Sequence, residues 1–160
     1  MEILTDWPSS ACRDKPQDPA GVTRAPKLRP DMGRLSWGDS DAPLSTIDIM
    51  RKWRAFDGNI GVHAFFTPRP GQPARRVKLL QIANPGPTLP ASLALLESTR
   101  PGGLAFDASG RHSGTLWLRT VDGWVELVTL QVELKPHPVS GRDFARGYGV
   151  TLSSDGPRFE

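Results

Sequence analysis

The residues of this sequence with the most chemistry to offer are its basic side chains. Between positions 44 and 100 stand eight of them, Arg51, Lys52, Arg54, Arg69, Arg75, Arg76, Lys78 and Arg100, against three acids, Asp48, Asp57 and Glu97. Elsewhere the balance is even: six bases to seven acids over residues 1–43, and five to five over 101–150. A local excess of positive charge can concentrate a polyanion at one face, although charge alone fits an ordinary solvated surface equally well. Arg51, Lys52, Arg75 and Arg76 would supply general phosphate attraction, which positions a nucleic acid without reading its bases.

Other chemistry has little to build on. The three histidines, His63, His112 and His137, are far apart, and none has metal-ligand spacing with another. His63 falls in an alternating apolar stretch and reads as a partly exposed strand residue. Cys12 is the only cysteine, which excludes a disulfide framework and a thiolate zinc site. No nucleophile elbow, phosphate loop or metalloprotease motif occurs, and the acids show no acid/base pairing. No catalytic residue and no metal ligand is expected. No stretch approaches the roughly 18 apolar residues of a membrane span, so no membrane partner is expected. The acidic start, Met1 to Asp6, is unlike a basic targeting peptide.

The elements that must hold the basic residues follow from periodicity. At 160 residues and 38% hydrophobic content, the chain suits one domain with one modest core, plus tails. Residues 1–40 read as an extended Pro-rich linker, 41–150 as the domain and 151–160 as a tail. Ser45-Thr46-Ile47-Asp48 has the form of a capping box, and Ile49, Trp53 and Phe56 make one apolar face of a helix over about residues 46–56. Arg51, Lys52 and Arg54 lie largely off that face. Period-two alternation then predicts strands at Ile60 to Phe66, Arg76 to Ala83, Gly103 to Asp107, Thr115 to Val121 and Trp124 to Gln131. Residues 84–100 read as a long loop with about one helical turn. Asp122-Gly123 between two apolar strands predicts a type I′ hairpin with positive φ at both positions. Ser140 to Asp143 repeats the capping-box form and opens a short helix to about Arg146. The fold expected is mainly β: a small five-stranded β-barrel with one helix before and a short helix after.

Ordered pieces of the chain resemble the carboxy-terminal domain of methionyl-tRNA formyltransferases. Arg24-Ala25-Pro26-Lys27-Leu28 is similar to the family's Tyr-Ala-Pro-Lys-(Leu/Ile), and Leu35-Ser36-Trp37 to the Ile-x-Trp that follows it. Trp53-Arg54-Ala55-Phe56 resembles Ile-Arg-Ala-Phe at the end of the domain's first helix, and Val77-Lys78-Leu79-Leu80 its Ile-Lys-(Leu/Val) strand. Pro101-Gly102-Gly103-Leu104 resembles Pro-Gly-(Ser/Thr)-(Val/Ile), and Asp122-Gly123-Trp124 through Leu130-Gln131 an Asp-Gly-x-Leu…Leu-Gln hairpin. Lys135, Ser140, Asp143, Phe144 and Gly147 resemble the closing Lys…(Ser/Ala)-x-x-Asp-Phe-x-x-Gly.

The resemblance implies an OB-like barrel that helps hold initiator methionyl-tRNA, while a separate amino-terminal domain, normally in cis, transfers the formyl group from 10-formyltetrahydrofolate. That domain's Asn, His and Asp and its Ser-Leu-Leu-Pro segment have no counterpart here, so no cofactor is expected on this chain. Carried over by the resemblance, Arg54 and Lys78 are RNA-binding positions, with Lys27 and Lys135 as secondary ones. On the residues alone, Arg54 also fits an ion pair with Asp57, and Lys78 a solvated strand face. Three departures look like mitochondrial members and imply a mitochondrial location: Asp57-Gly58-Asn59-Ile60 in place of Asn-Pro-Trp-Pro, Arg24 in place of tyrosine, and the long 84–100 loop. Met1 to Asp6 resembles the end of a helix that precedes the linker in the full enzyme, which implies truncation. Two other readings stand beside this one. One is a stand-alone RNA or ribonucleoprotein interaction protein derived from such a domain. The other is the carboxy-terminal domain of another 10-formyltetrahydrofolate-dependent formyltransferase, which the Ala-Pro-Lys-Leu segment and the basic helix disfavour.

Overall fold

A computed structural model describes residues 26–37, 44–68, 71–84, 89–108 and 114–160. Cys12, Arg24, Arg69, Arg111, His112, the start at Met1 to Asp6 and most of the linker lie outside the described residues.

The fold is mainly β, with strands β1 (Val62–Phe66), β2 (Arg75–Ala83), β3 (Leu104–Asp107), β4 (Thr115–Arg119), β5 (Trp124–Val132) and β6 (Val139–Ser140). The helices are α1 (Thr46–Phe56), α2 (Ala91–Ala94) and α3 (Gly141–Tyr148), preceded by a 3-10 turn at Pro30–Gly33. Among the described residues, all six strands form one antiparallel sheet in the order β1-β2-β5-β4-β3, with β6 also paired to β5. The alternation anticipated for these strands sorts their side chains. Val62, Ala64, Phe66, Val77, Leu79, Leu116, Leu118, Val125, Leu127, Leu130 and Val132 face one core, joined by Ile49 of α1 and Phe144 of α3.

The sheet departs from the expected five-stranded barrel in two ways. It has a sixth strand, whose two residues are too few to show alternation. It is also open, with β1 and β3 as its edges. Residues of the segment read as a tail lie between those edges. Phe159 bridges to Phe66 and Arg158 to Gly103, and the main chain adds Leu104 N to Pro157 O and Phe159 N to Gly102 O, both at 2.9 Å. Phe159 is fully buried, as is Leu35 of the segment read as linker.

The 84–100 loop does contain its helical turn, α2, and this has a packing role. Leu93 and Leu96 cover Ala105, Trp117 and Trp124 in a second, smaller apolar cluster. The hairpin between β4 and β5 is present, but its turn is not type I′, since neither Asp122 nor Gly123 has positive φ. Thr120 N donates to Gly123 O at 3.0 Å, and Gly123 N donates to the Thr120 hydroxyl at 2.9 Å. A side-chain oxygen thus closes the turn, which removes the need for a left-handed glycine. α3 begins as expected, with Ser140 Oγ accepting from Asp143 N at 3.0 Å. It runs two residues beyond the expected Arg146 and ends at Gly149, whose φ of 66° is the left-handed helix cap that glycine adopts without strain.

Candidate nucleic-acid interface

α1 is fastened before its basic residues are aimed. Ser45 and Asp48 make the reciprocal capping box, with Ser45 Oγ accepting from Asp48 N at 3.2 Å. Asp122 Oδ1, from the β4–β5 turn, accepts from Thr46 N at 2.7 Å and ties the helix to the sheet. Ile49 is buried, while Met50, Trp53 and Phe56 pack partly buried against the core. That register leaves Arg51 and Arg54 exposed and turns Lys52 to the flank, where its ammonium donates to the Arg34 carbonyl. Burial at this position lowers the Lys52 pKa.

Arg34 reaches the same place by a close approach of two main chains. A Cβ on Gly33 would lie 2.1 Å from Gly61 O, so only glycine fits there. The contact lays Arg34 and Leu35 beside β1, with a parallel bridge from Arg34 to His63 and a bond of 2.7 Å from Leu35 N to His63 O.

On the side of β1 and β2 opposite the core, His63 lies across from Lys78, and Phe65 from Arg76. Arg76 Nη2 lies 3.2 Å from His63 Nδ1, and the Arg34 guanidinium sits 5.0 Å above the Phe65 ring. His63 meets Phe65 edge-on at 6.0 Å. His63 is 4% exposed, not partly exposed as its place on an alternating strand suggested, because neighbours from three elements close over it. Its pKa is pushed down to about 4, first by burial and then by the charges of Arg76, Arg34, Lys78 and Lys52. The ring is therefore neutral near pH 7, with Nδ1 accepting from Arg76. Glu133, just past β5, accepts from the Arg76 main-chain N at 3.1 Å, and among the described residues it makes no ion pair with the guanidinium. Four cations thus surround one neutral imidazole. Two unit charges roughly 6 Å apart repel by roughly 0.7–3 kcal/mol, depending on how much water screens them, so such a group gains from a bound anion.

The residues anticipated as RNA contacts therefore divide. Lys52, Arg76 and Lys78 come together. Arg51 and Arg54 stand exposed on α1, and no ion pair joins Arg54 to Asp57, which accepts from Gly58 N instead. Arg75 opens β2 opposite Phe66, on the other side of the strand from Arg76. Lys135 lies past β5 with its ammonium 5.5 Å from the Tyr148 ring, and Lys27 is exposed. Sequence reasoning missed Arg34 and His63 as members of the group. Arg34 stands directly before Leu35-Ser36-Trp37, a position that could have drawn notice. His63 carried no local signal. Among the described residues no three His, Cys, Asp or Glu side chains group as metal ligands, and no helix is long and apolar enough to cross a membrane.

No family model matches the chain. It is similar to the methionyl-tRNA formyltransferase of Chlorobium luteolum, 28% identical over 132 residues, which is 82% of this chain and 35% of that protein. The methionyl-tRNA formyltransferase of Chlorobium phaeovibrioides is likewise 28% identical over 137 residues, 82% of this chain and 34% of its own length. The chain thus spans about a third of the curated relatives it matches.

Proposed function

From this likeness to methionyl-tRNA formyltransferases, we propose that the chain is the tRNA-holding, carboxy-terminal part of such an enzyme. Initiator methionyl-tRNA lies against the face built around His63. The observation that carries the reading is the convergence of Arg34, Lys52, Arg76 and Lys78 from three separate elements on one ring. Backbone phosphates are the part of a tRNA that such a face grips, and they set position rather than sequence. In this reading formyl transfer from 10-formyltetrahydrofolate belongs to an amino-terminal domain acting in cis, and this chain lends it grip. A mitochondrial location belongs to the same proposal, supported by Asp57-Gly58-Asn59-Ile60 where the bacterial pattern has Asn-Pro-Trp-Pro.

The test is a filter-binding titration of initiator tRNA at several salt concentrations. Each phosphate contact releases counterions and contributes about −0.7 to −0.9 to the log–log salt slope. Three to four contacts give a slope of roughly −2 to −3.6, or a roughly 20- to 150-fold loss of affinity between about 50 and 200 mM salt. No binding at the lowest salt refutes the reading.

A further inference from the structure

His63 is an unusual residue to find among four cations. A buried imidazole has no apolar advantage over valine on a strand, and the field around it opposes a positive charge on the ring. Its one polar contact in the cluster is Arg76 Nη2 at 3.2 Å, on Nδ1. That contact places the ring hydrogen on Nε2 and leaves Nδ1 as an acceptor. It also makes the two groups mutually exclusive, because a proton on Nδ1 and an N–H of Arg76 cannot occupy the same lone pair.

We propose that a phosphate seated at this face draws the Arg76 guanidinium off His63 and lets Nδ1 take a proton from water, so that phosphate binding is proton-linked. The natural phosphate in this inference rests on the RNA reading above. In the free chain Arg76 is held to the ring through Nη2, and its buried Nε makes no hydrogen bond. A phosphate between Arg34, Arg76 and Lys78 offers the guanidinium an anionic acceptor, which holds it more strongly than a neutral ring nitrogen does. The vacated Nδ1 then gains a proton, and the imidazolium becomes a fifth positive charge on the bound anion. The groups facing the ring are Arg34 before β1, Lys52 on α1, and Arg76 and Lys78 on β2, with Glu133, just past β5, beside the Arg76 main chain. All but Glu133 are cationic, so only an incoming anion reverses the field at the ring.

The sign follows. In the free chain His63 binds a proton only near pH 4, whereas next to a phosphate it moves back toward the ordinary value of 6.5. Binding therefore takes up a proton between those values, and affinity rises as pH falls through that window. Moving from pH 7.5 to 5.5 at constant ionic strength should tighten binding by about four- to tenfold.

Two measurements decide it on the full chain. In the first, the imidazole resonances are followed by NMR at pH 6 while inorganic pyrophosphate is added, with His63→Gln identifying the His63 signals. Movement of His63 toward the imidazolium position is expected, and an unmoved ring overturns the proposal. In the second, initiator tRNA affinity is measured at pH 7.5 and 5.5 for wild type, His63→Gln and Glu133→Gln. The glutamine at 63 keeps an acceptor for Arg76 but cannot titrate. Its pH ratio should fall below about twofold, while Glu133→Gln keeps the wild-type ratio. An equal pH ratio in wild type and His63→Gln sinks the proposal and leaves the RNA reading standing. Pyrophosphate that protonates His63 in a chain unable to bind tRNA does the reverse.

Discussion

Asp122 shows how much a single carboxylate can tie together. Its Oδ1 accepts from Thr46 N at 2.7 Å and from the Thr120 hydroxyl at 2.9 Å, and the two threonine hydroxyls lie 2.9 Å apart. One oxygen therefore holds the start of α1 against a turn 76 residues away in sequence. The N–H of Thr46 lowers the Asp122 pKa, which places the sign of its pH effect. A carboxyl depressed by folding adds stability above its ordinary range, and that contribution fades as pH falls through the folded value. Asp122→Ala should cost about 1 kcal/mol at pH 7, the usual worth of such a cap, reduced somewhat by solvent at this exposed position. Thermal melts of the two proteins should converge toward acid pH, and a gap that persists undiminished there contradicts the account. The Asp-Gly pair was legible in the sequence as a hairpin, but the turn's geometry was not. It depends on the Thr120 hydroxyl, and nothing local distinguishes that threonine from any other on a strand. His63 was illegible for the same reason, since Arg34 and Arg76, which lie beside it, come from other elements.

At the scale of elements, α1, five of the six strands and the capped start of α3 all follow from periodicity and capping residues. Each is a local pattern repeated over enough positions to be read. The segment at 157–160 has no such pattern, with one aromatic residue among a proline and two charged residues, and so it reads as a tail. Yet Phe159 lies fully buried, with ring centroids 6.2 Å from Trp37 and 6.0 Å from Phe66. Glu160 adds a main-chain bond to Phe65 O at 2.8 Å and accepts from the Thr67 hydroxyl at 2.9 Å. Truncating a buried phenylalanine to alanine typically costs about 3–5 kcal/mol, a large part of the stability of a small domain. Phe159→Ala should therefore lower the melting temperature by many degrees, whereas Arg158→Gln, exposed beside it, should leave it nearly unchanged. Equal melts for the two variants would show that the segment contributes nothing to the sheet it bridges. A comparable argument holds for α2, where Leu93→Ala opens the small cluster over Trp117 and Trp124 and should cost about 2–5 kcal/mol in a denaturant titration.

For the whole molecule, charge density along the chain located the basic segment but not the face. Eight bases between residues 44 and 100 are one fact in sequence and at least two places in space. Arg51 and Arg54 project from the solvent side of α1, while Arg76 and Lys78, on the far side of the sheet from the core, stand with Arg34, which Lys52 reaches from the flank of α1. Arg34 comes from a segment whose charges balance, so a count by segment could not recruit it. The division gives the proposed function a sharper consequence than total charge does. Replacing Arg34, Arg76 and Lys78 together by glutamine should make the salt slope of tRNA binding shallower by about 2–3, because three counterion-releasing contacts are lost. Arg51→Gln with Arg54→Gln should change it by less than about one, since these side chains share no ring or strand with the cluster. Arg100→Gln with Arg158→Gln, around a separate shallow cavity near Gly103, is the control for net charge. Circular dichroism must show all three variants folded before their slopes are compared. If the helix pair flattens the slope as much as the sheet triple, RNA lies across α1, and the His63 face is not where it is held.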